Sequence, residues 1–160
     1  MLFFNRYLTG PYAYADWGVY NAILNGGNLP QQWRTLSYDE WDYLLNQRRG
    51  HSVKWGIAQI AGFGNYGLIL LPDSWSLPTG IEFSEGDALN GIVLNIYSTQ
   101  QWKQMEEAGA VFLSENRNYW TSTRYNGRIA YTLYSSAYTP GVGLTTSSNA
   151  NSVRLVKDVN

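Results

Sequence analysis

The pattern of apolar and polar positions along the chain predicts two short helices separated and followed by strands. Residues 37–40 (SYDE) fit a capping box, in which the serine hydroxyl and the glutamate carboxylate each accept a backbone N–H from the other residue. Apolar residues follow at helical spacing: Trp41, Leu44 and Leu45. A first helix is therefore predicted over residues 38–49, with Arg48 and Arg49 near its negative C-terminal end and Gly50 as its stop.

The same arrangement returns later in the chain. Residues 98–101 (STQQ) form a second capping box, and Gly109 provides a C-terminal stop. Apolar or small residues lie between them at helical spacing: Trp102, Met105 and Ala108. A second helix is predicted over residues 99–108, and a further short helix over residues 16–24, inside an aromatic-rich segment with little periodicity.

The other apolar segments of the chain have patterns typical of strands. The run at residues 68–71 (LILL) is continuously apolar, as expected of a strand buried on both faces, and Pro72 closes it. Further strands are predicted at residues 53–57, 111–113, 119–123, 130–134 and 153–156. Two helices with several short, mostly antiparallel strands indicate an α+β fold, in a single domain over residues 1–160.

Composition argues against several classes of function. The chain has 160 residues, a net charge of −1 and no basic run, whereas a phosphate-tracking surface needs clustered Lys and Arg. It has no cysteine, and its one histidine, His51, is expected in an exposed loop. No segment approaches the roughly 18 apolar residues of a membrane span, and no export signal is visible. We therefore expect no catalytic residue, metal, cofactor, nucleic-acid partner or membrane insertion.

Two other kinds of site deserve comparison with ordinary structural roles. Residues 62–67 (GFGNYG) match the glycine spacing of a dinucleotide-binding loop, but such a loop opens a helix and here a strand follows, so a turn is predicted. A glycosidase is a further possibility, because its catalysis needs only two carboxylates. A calcium site is not indicated, because the alternating Asp/Asn loop typical of such sites is absent from the sequence. The candidate carboxylates, most with ordinary cap or turn roles, are Asp39, Glu40, Asp73, Glu82, Glu85 and Asp87. A hydrolase stays open as an alternative.

Residues 124–152 have a distinct composition. Of these 29 residues, 22 are Tyr, Ser, Thr, Gly, Asn or Ala, and Arg124 and Arg128 are the only charged ones. Antibody paratopes have the same composition, with Tyr for rigid contact area, small polar residues for adaptable hydrogen bonds and Arg as an anchor. A surface hairpin rich in Ser and Gly is the alternative interpretation.

The same segment lacks Lys, Glu, Gln, Trp and Met, which supply 25 of the other 131 residues. At that background frequency their absence would occur roughly twice in a thousand, a figure that ordinary loop composition raises considerably. These five amino acids have no codon that ends in a pyrimidine. Randomising the first two bases of Asn codons would produce the residue types that are present and never these five.

The chain resembles a known family in several separate segments. Residues 33–41 (WRTLSYDEW) resemble the Trp-Arg-Leu…Glu-Trp signature of the formylglycine-generating-enzyme-like branch of the C-type lectin fold. The segments that resemble the major-paralogous-domain surface proteins of gut bacteria are residues 67–75, 105–113, 119–123 and 152–156. The resemblance implies a C-type lectin fold. The formylglycine oxidase uses cysteines, and calcium-dependent lectins use Glu-Pro-Asn and Trp-Asn-Asp motifs; this chain has none of them.

Within this fold, the chain is similar to the variable proteins of diversity-generating retroelements of phages and bacteria, in which adenine-directed mutagenesis rewrites a C-terminal stretch. The resemblance implies a constant scaffold over residues 1–123, a variable region over residues 124–152 and a closing strand over residues 153–160. It implies a non-catalytic protein on a virion or bacterial cell surface that binds a protein or glycan on a target cell. A fixed bacterial adhesin or glycan-binding domain is the alternative.

The residues expected to contact ligand are Tyr125, Asn126, Arg128, Thr132, Tyr134, Ser135, Ser136, Tyr138, Thr139 and Leu144. Within the strand over residues 130–134, Ala130 and Leu133 are expected to face inward, and Thr132 and Tyr134 outward. The residues expected to be structural are Arg34, Glu40, Trp41, Trp120 and Arg154. Of these, the two arginines are expected to be hydrogen-bonded inside the framework, and the two tryptophans to lie in the core.

Overall fold

The structure, a computed structural model, describes residues 33–48, 54–64, 66–86, 94–114, 117–135 and 140–157. Over these residues it is a mixed α+β fold, as predicted. The helices are α1 (Tyr38–Leu45) and α2 (Thr99–Glu107). The strands are β1 (Arg34–Thr35), β2 (Trp55–Ile60), β3 (Tyr66–Leu70), β4 (Leu94–Tyr97), β5 (Val111–Ser114), β6 (Asn118–Arg124), β7 (Ile129–Tyr134), β8 (Gly141–Thr146) and β9 (Leu155–Val156). The helix predicted over residues 16–24, together with Arg49, Gly50, His51 and Asp87, lies outside the described residues.

The strands form three sheets. The largest has the order β4-β2-β3-β5; β2 is antiparallel to β3, with Trp55 opposite Leu70, and parallel to β4. A second sheet has the order β6-β7-β8, and a third pairs β1 with β9 antiparallel, with Arg34 opposite Val156. Strands β1, β4 and β8 were not predicted, and β9 is shorter than the strand expected over residues 153–156.

The described residues divide into two compact units that alternate along the chain. The first consists of the described parts of Met1–Trp41, Asn118–Leu133 and Val142–Asn160, and it contains β1, β6 and β9. The second consists of the described parts of Asp42–Arg117 and Tyr134–Gly141, and it contains the four-stranded sheet and α2. Among the described helices, none has the length and hydropathy that would let it cross a membrane.

The core of the second unit forms around β3, where the apolar run predicted a strand buried on both faces. Leu68 and Ile69 have no exposed surface, which confirms that prediction. Gly67 precedes them because β5 leaves no room for a side chain; a Cβ at this position would lie 2.3 Å from the Phe112 ring. The cluster that fills this core comprises Ala58, Ile60, Ile69, Leu71, Ile81, Tyr97, Trp102, Met105 and Ala110.

Helix α2 begins and ends as its sequence predicts. The Gln101 N–H donates to the Ser98 hydroxyl over 3.2 Å, and the Ser98 N–H donates to the Gln101 side chain over 3.0 Å, so the capping box is present. At the other end Gly109 has φ +99°, its N–H donates to the Glu106 carbonyl, and the Ala110 N–H donates to the Met105 carbonyl. This pair of bonds is a Schellman motif, which confirms the glycine stop.

Helix α1 is shorter than predicted, ending at Leu45 instead of residue 49. Two side chains donate hydrogen bonds to the Leu44 and Leu45 carbonyls, which would accept backbone N–H groups in a longer helix. The Arg48 guanidinium donates to the Leu44 carbonyl over 3.1 Å, and the Trp55 indole N–H donates to the Leu45 carbonyl over 2.9 Å. Arg48 therefore does complement the C-terminal end of the helix, as expected, but from a turn that follows it.

The N-terminal end of α1 is capped by the Glu40 carboxylate, which accepts three hydrogen bonds. The Arg34 guanidinium donates two hydrogen bonds to Glu40, of 2.8 and 2.7 Å, and the Ser37 N–H donates a third of 2.8 Å. This confirms that Arg34 is hydrogen-bonded to a carboxylate and that Glu40 completes a capping box. The hydrogen bond from Arg34 lowers the pKa of Glu40 from 4.5 to about 2, despite partial burial.

The Glu40 carboxylate is expected to make the protein acid-sensitive. Because its pKa is lower when folded than when unfolded, its stabilising contribution is present above pH 4.5 and is lost as the pH falls towards about 2. The difference in free energy of unfolding between wild type and Glu40→Gln should therefore be largest at neutral pH and should shrink below pH 4.5. Urea denaturation at a series of pH values measures it, and a difference that stays constant in acid would contradict the assignment.

Candidate functional site

The C-terminal end of the segment over residues 124–152 is hydrogen-bonded to β6, the strand from which the segment leaves. The Trp120 N–H donates to the Ser152 carbonyl over 2.9 Å, and the Ser152 N–H donates to the Asn118 carbonyl over 2.7 Å. These bonds make Tyr119 and Ser152 partners in a parallel bridge. The segment therefore leaves β6 and returns beside the same strand, so that its path begins and ends on one fixed base.

The first part of the segment is a turn over residues 124–129, which links β6 to β7. The N–H groups of Tyr125 and Asn126 both donate to the Ile129 carbonyl, over 3.1 and 3.0 Å. The Asn126 side-chain oxygen accepts from the N–H groups of Arg128 and Ile129, over 2.8 and 2.9 Å. Asn126 is exposed, as predicted, but this Asx turn gives its side chain a role in ordering the backbone.

The return part of the segment is tied to the same turn. The Ser147 N–H and hydroxyl both donate to the Arg128 carbonyl, over 2.8 and 3.1 Å. The Thr146 hydroxyl donates to the Asn149 side chain over 3.0 Å, and the Asn149 N–H donates to the Thr146 carbonyl over 3.0 Å. The main chain of Arg128 is therefore fixed by bonds at both its N–H and its carbonyl.

Three tyrosines form a stack beside this turn. Tyr125 is 59% exposed, and its ring contacts the Tyr131 ring edge-on, with centroids 6.2 Å apart. Tyr131 in turn packs against Tyr38, with centroids 4.6 Å apart. The Tyr38 N–H donates to the Thr123 hydroxyl over 3.0 Å, which fixes the start of α1 against β6. Tyr38 and Tyr131 were not predicted as members of the site, since only their contact in the folded chain distinguishes them.

The register between β7 and β8 follows from two contacts. Ser147 bonds Arg128 at one end, and at the other Gly141 lies so close to Tyr134 that an added Cβ would be 3.0 Å from its ring. Counting inward from both ends along antiparallel strands places Leu144 opposite Tyr131. Opposite residues share a face of the sheet, so Leu144, itself 50% exposed, lies on the Tyr131 side.

Five of the predicted ligand-contacting residues are exposed: Tyr125, Asn126, Arg128, Tyr134 and Leu144. All but Tyr134 belong to the first unit, and we call these four the candidate face. Tyr134 belongs to the second unit and lies against Gly141. Ser136, Tyr138 and Thr139 lie outside the described residues.

Thr132 does not face outward, and this prediction was wrong. It is 2% exposed, and its hydroxyl donates to the Tyr119 carbonyl over 3.0 Å. Ala130 and Leu133 are buried, as predicted, but they lie on opposite faces of β7. Buried residues therefore lie on both faces of this central strand, whereas the prediction for Thr132 required one face to be open.

Ser135 is also buried, contrary to prediction. It is 3% exposed, and its hydroxyl donates to the Ser114 carbonyl over 2.6 Å and to the Arg117 carbonyl over 3.1 Å. The Ser135 hydroxyl therefore bonds both ends of the connection between β5 and β6, Ser114 and Arg117. Its role is therefore structural.

Two of the residues expected inside the framework lie elsewhere. Trp120 is half-buried and does not lie in the core. Side chains alternate along a strand, and the buried face of β6 is formed by the residues on either side of Trp120, Tyr119 and Thr121. Arg154 is exposed, in the short link between Ser152 and β9. Trp41 is buried, as expected, with 1% of its surface exposed.

Like Glu40, two further described carboxylates, Asp42 and Asp73, have structural partners. Asp73 accepts a hydrogen bond of 2.9 Å from Arg48, which lowers its pKa, and the side chains of Asn46 and Gln47 lower the pKa of Asp42. These shifts are opposite in direction to the raised pKa of a general acid. Residues 61–64 form a turn between antiparallel β2 and β3, with Gly62 and Gly64 at positive φ, which confirms the turn predicted there. Over the described ranges, no three metal-ligating side chains cluster.

Comparison of the chain with protein-family models, with curated proteins and with solved structures gives no match.

Proposed function

We propose that this chain is a non-catalytic ligand-binding protein with a C-type lectin fold, in which residues 124–152 are diversified by a retroelement while the rest of the chain is constant. One observation carries the proposal: the hydrogen bonds that close the turn over residues 124–129 and join it to Ser147 do not use the side chains of Tyr125, Arg128 or Leu144. The turn bonds of Tyr125 and Arg128 pass through main-chain atoms. Substitution of these side chains therefore leaves those bonds in place.

The positions of the segments that carry the family resemblance also support the proposal. The two-residue strand Arg34–Thr35 belongs to one segment that carries the family resemblance, and its partner Leu155–Val156 belongs to another. Their pairing brings together the beginning and the end of the resemblance. On this proposal they form part of the constant scaffold, and the protein is displayed on a virion or bacterial cell surface, where its candidate face meets a protein or glycan of a target cell.

Matched libraries test whether the candidate face tolerates variation. Most variants randomised at Tyr125, Arg128 and Leu144 are expected to stay folded, whereas variants randomised at the buried residues Tyr119, Thr132 and Leu133 are expected to unfold. Among single variants, Leu144→Thr should change the free energy of unfolding by no more than about 0.5 kcal/mol. Thr132→Val should lower it by about 1–2 kcal/mol, because the Tyr119 carbonyl loses its donor.

Protease resistance of the displayed variants measures the folded fraction, and selection of the first library against purified surface proteins then tests binding. Equal folded fractions in the two libraries would contradict the division into scaffold and face. Failure of every folded variant to bind any target would contradict ligand binding.

The DNA beside the gene tests the retroelement. We expect a reverse-transcriptase gene and a near-repeat of the codons for residues 124–152 that differs at adenines. If neither is present, the fixed adhesin replaces the diversified binder as the better explanation.

A further inference from the structure

One edge of the four-stranded sheet carries an unusually exposed apolar side chain. Ile96 is 70% exposed, more than any other large apolar side chain of the described residues, and it lies on β4 at the edge of the order β4-β2-β3-β5. At the opposite edge, the Ser135 hydroxyl donates a hydrogen bond to the Ser114 carbonyl of β5. A sheet edge with an exposed apolar residue is a place where a strand of another chain can pair.

The register between β4 and β2 explains why Ile96 is exposed. The two strands are parallel, with Ile96 opposite Gln59 and Tyr97 opposite Ile60. Tyr97 and Ile60 belong to the apolar core of the second unit. Because side chains alternate along a strand, Ile96 lies on the other face of the sheet. Leu94, which is half-buried, shares that face with Ile96.

The main chain of Ile96 also points away from the sheet. The Ala61 N–H donates to the Tyr97 carbonyl over 2.9 Å, so the polar main-chain groups of Tyr97 point towards β2 and its continuation. These groups point to alternate sides along a strand, and those of Leu94 and Ile96 therefore point away from β2. No other described strand lies on that side of β4.

Strand β4 lacks two features by which proteins usually protect an edge. Its sequence over Leu94–Tyr97 (LNIY) contains no charged residue and no proline. A symmetric pairing brings a strand close to its own copy, so that any charge on it meets the same charge. The uncharged sequence of β4 therefore favours a second copy of this chain as the occupant of the edge.

We propose that two copies of this chain pair through β4, antiparallel about a two-fold axis at Asn95. Leu94 of one copy then lies opposite Ile96 of the other, and the two residues exchange main-chain hydrogen bonds. Their apolar side chains lie on one face of the joined sheet and contact each other. The edge is short, so we expect a weak dimer, with a Kd above about 1 μM. The proposal does not rest on the proposed function.

Sedimentation velocity of the whole protein at concentrations up to about 1 mM tests the pairing, and we expect a dimer at the upper end. Ile96→Pro removes only an N–H that points away from the sheet, and Ile96→Lys places a charge at the interface. Each should raise the Kd at least about tenfold without unfolding the protein. The matched control is Leu77→Lys, which adds the same charge at another apolar residue, 44% exposed, and should change the Kd less than about twofold.

Cysteine cross-linking tests the register, since the natural chain has no cysteine. Opposite residues of a hydrogen-bonded antiparallel pair have Cα atoms about 5.5 Å apart, within the range of a disulfide. A mixture of Leu94→Cys and Ile96→Cys copies should therefore cross-link mainly between the two variants. Each variant alone should cross-link less, because its two thiols lie diagonally across the interface.

Three results would overturn the proposal. A wild-type protein that stays monomeric up to about 1 mM would exclude a second copy and leave the edge to an extended segment of another protein. A dimer that Ile96→Pro and Ile96→Lys do not weaken would form through another surface. Preferential cross-linking of each cysteine variant with itself would contradict the two-fold axis at Asn95. Circular dichroism checks that each variant is folded, and Ile96→Lys decides if the proline variant is not.

Discussion

Replacing Trp41 by alanine is expected to lower the free energy of unfolding by about 3–5 kcal/mol, because it removes a large buried side chain and leaves a cavity. The residue is 1% exposed. Urea denaturation followed by circular dichroism measures the change. The loss would be a large fraction of the net stability of a domain this size, which is about 5–15 kcal/mol.

Trp41→Phe separates packing from hydrogen bonding at the same position. The Trp41 indole N–H is buried without an acceptor, so phenylalanine retains much of the apolar volume and gives up no hydrogen bond. We expect it to cost less than half as much as alanine. Equal losses for the two variants would show that the stability of this site does not come from apolar packing.

Replacing Asn95 by leucine is expected to lower the free energy of unfolding by about 2–4 kcal/mol, because several buried polar groups lose their partners at once. The Asn95 amide donates to the carbonyls of Ile57 and Ser84, over 3.0 and 2.9 Å, and its oxygen accepts from the Ser84 N–H over 2.7 Å. The side chain is thus paired with the backbone of Ser84 as a neighbouring strand would be, and it joins that segment to β2.

The matched control for this substitution is Asn46→Leu. Asn46 is also hydrogen-bonded, to Asp42 over 2.7 Å, but it is exposed, so water can replace its partner. A change of about 0.5 kcal/mol or less is expected. If both leucine variants were equally stable, the network around Asn95 would have no net value, and the buried carbonyls would have found other donors.

Both helices could be predicted because their signals are local. Each capping box joins groups three residues apart, and the Gly109 stop depends only on the conformation of that residue. The end of α1 depends instead on Trp55, which lies ten residues beyond Leu45 and takes its carbonyl. No pattern within the helix itself contains that information.

Two of the strands that were missed, β4 and β8, have residues that interrupt the usual pattern. Asn95 stands in the middle of β4, at a position where a buried strand ordinarily has an apolar side chain. Strand β8 contains Gly141 and Gly143, which reduce strand propensity and made the segment resemble a loop. In both cases tertiary contacts outweigh the local preference.

The candidate site was predicted in location but only partly in composition. The exposed turn with Tyr125 and Arg128 follows from a polar, glycine-containing sequence between two strands. Thr132 and Ser135 have the same composition as their exposed neighbours, and only their hydrogen bonds to the carbonyls of Tyr119 and Ser114 distinguish them. Residue type alone therefore separates ligand-facing from structural positions poorly in a region of small hydroxyl side chains.

The hydrogen bonds that join Ser152 to Trp120 and Asn118 fix the end of residues 124–152 on β6, so we expect this segment to tolerate changes in length as well as in sequence. An insertion between two such fixed points adds closure entropy that grows only with the logarithm of loop size, roughly 0.6 kcal/mol for each doubling. A cassette from another protein could be grafted onto the same base, and tolerance should be highest near Ser148, an exposed residue in the turn after β8. We therefore expect the protein to be usable as a scaffold for grafted recognition loops.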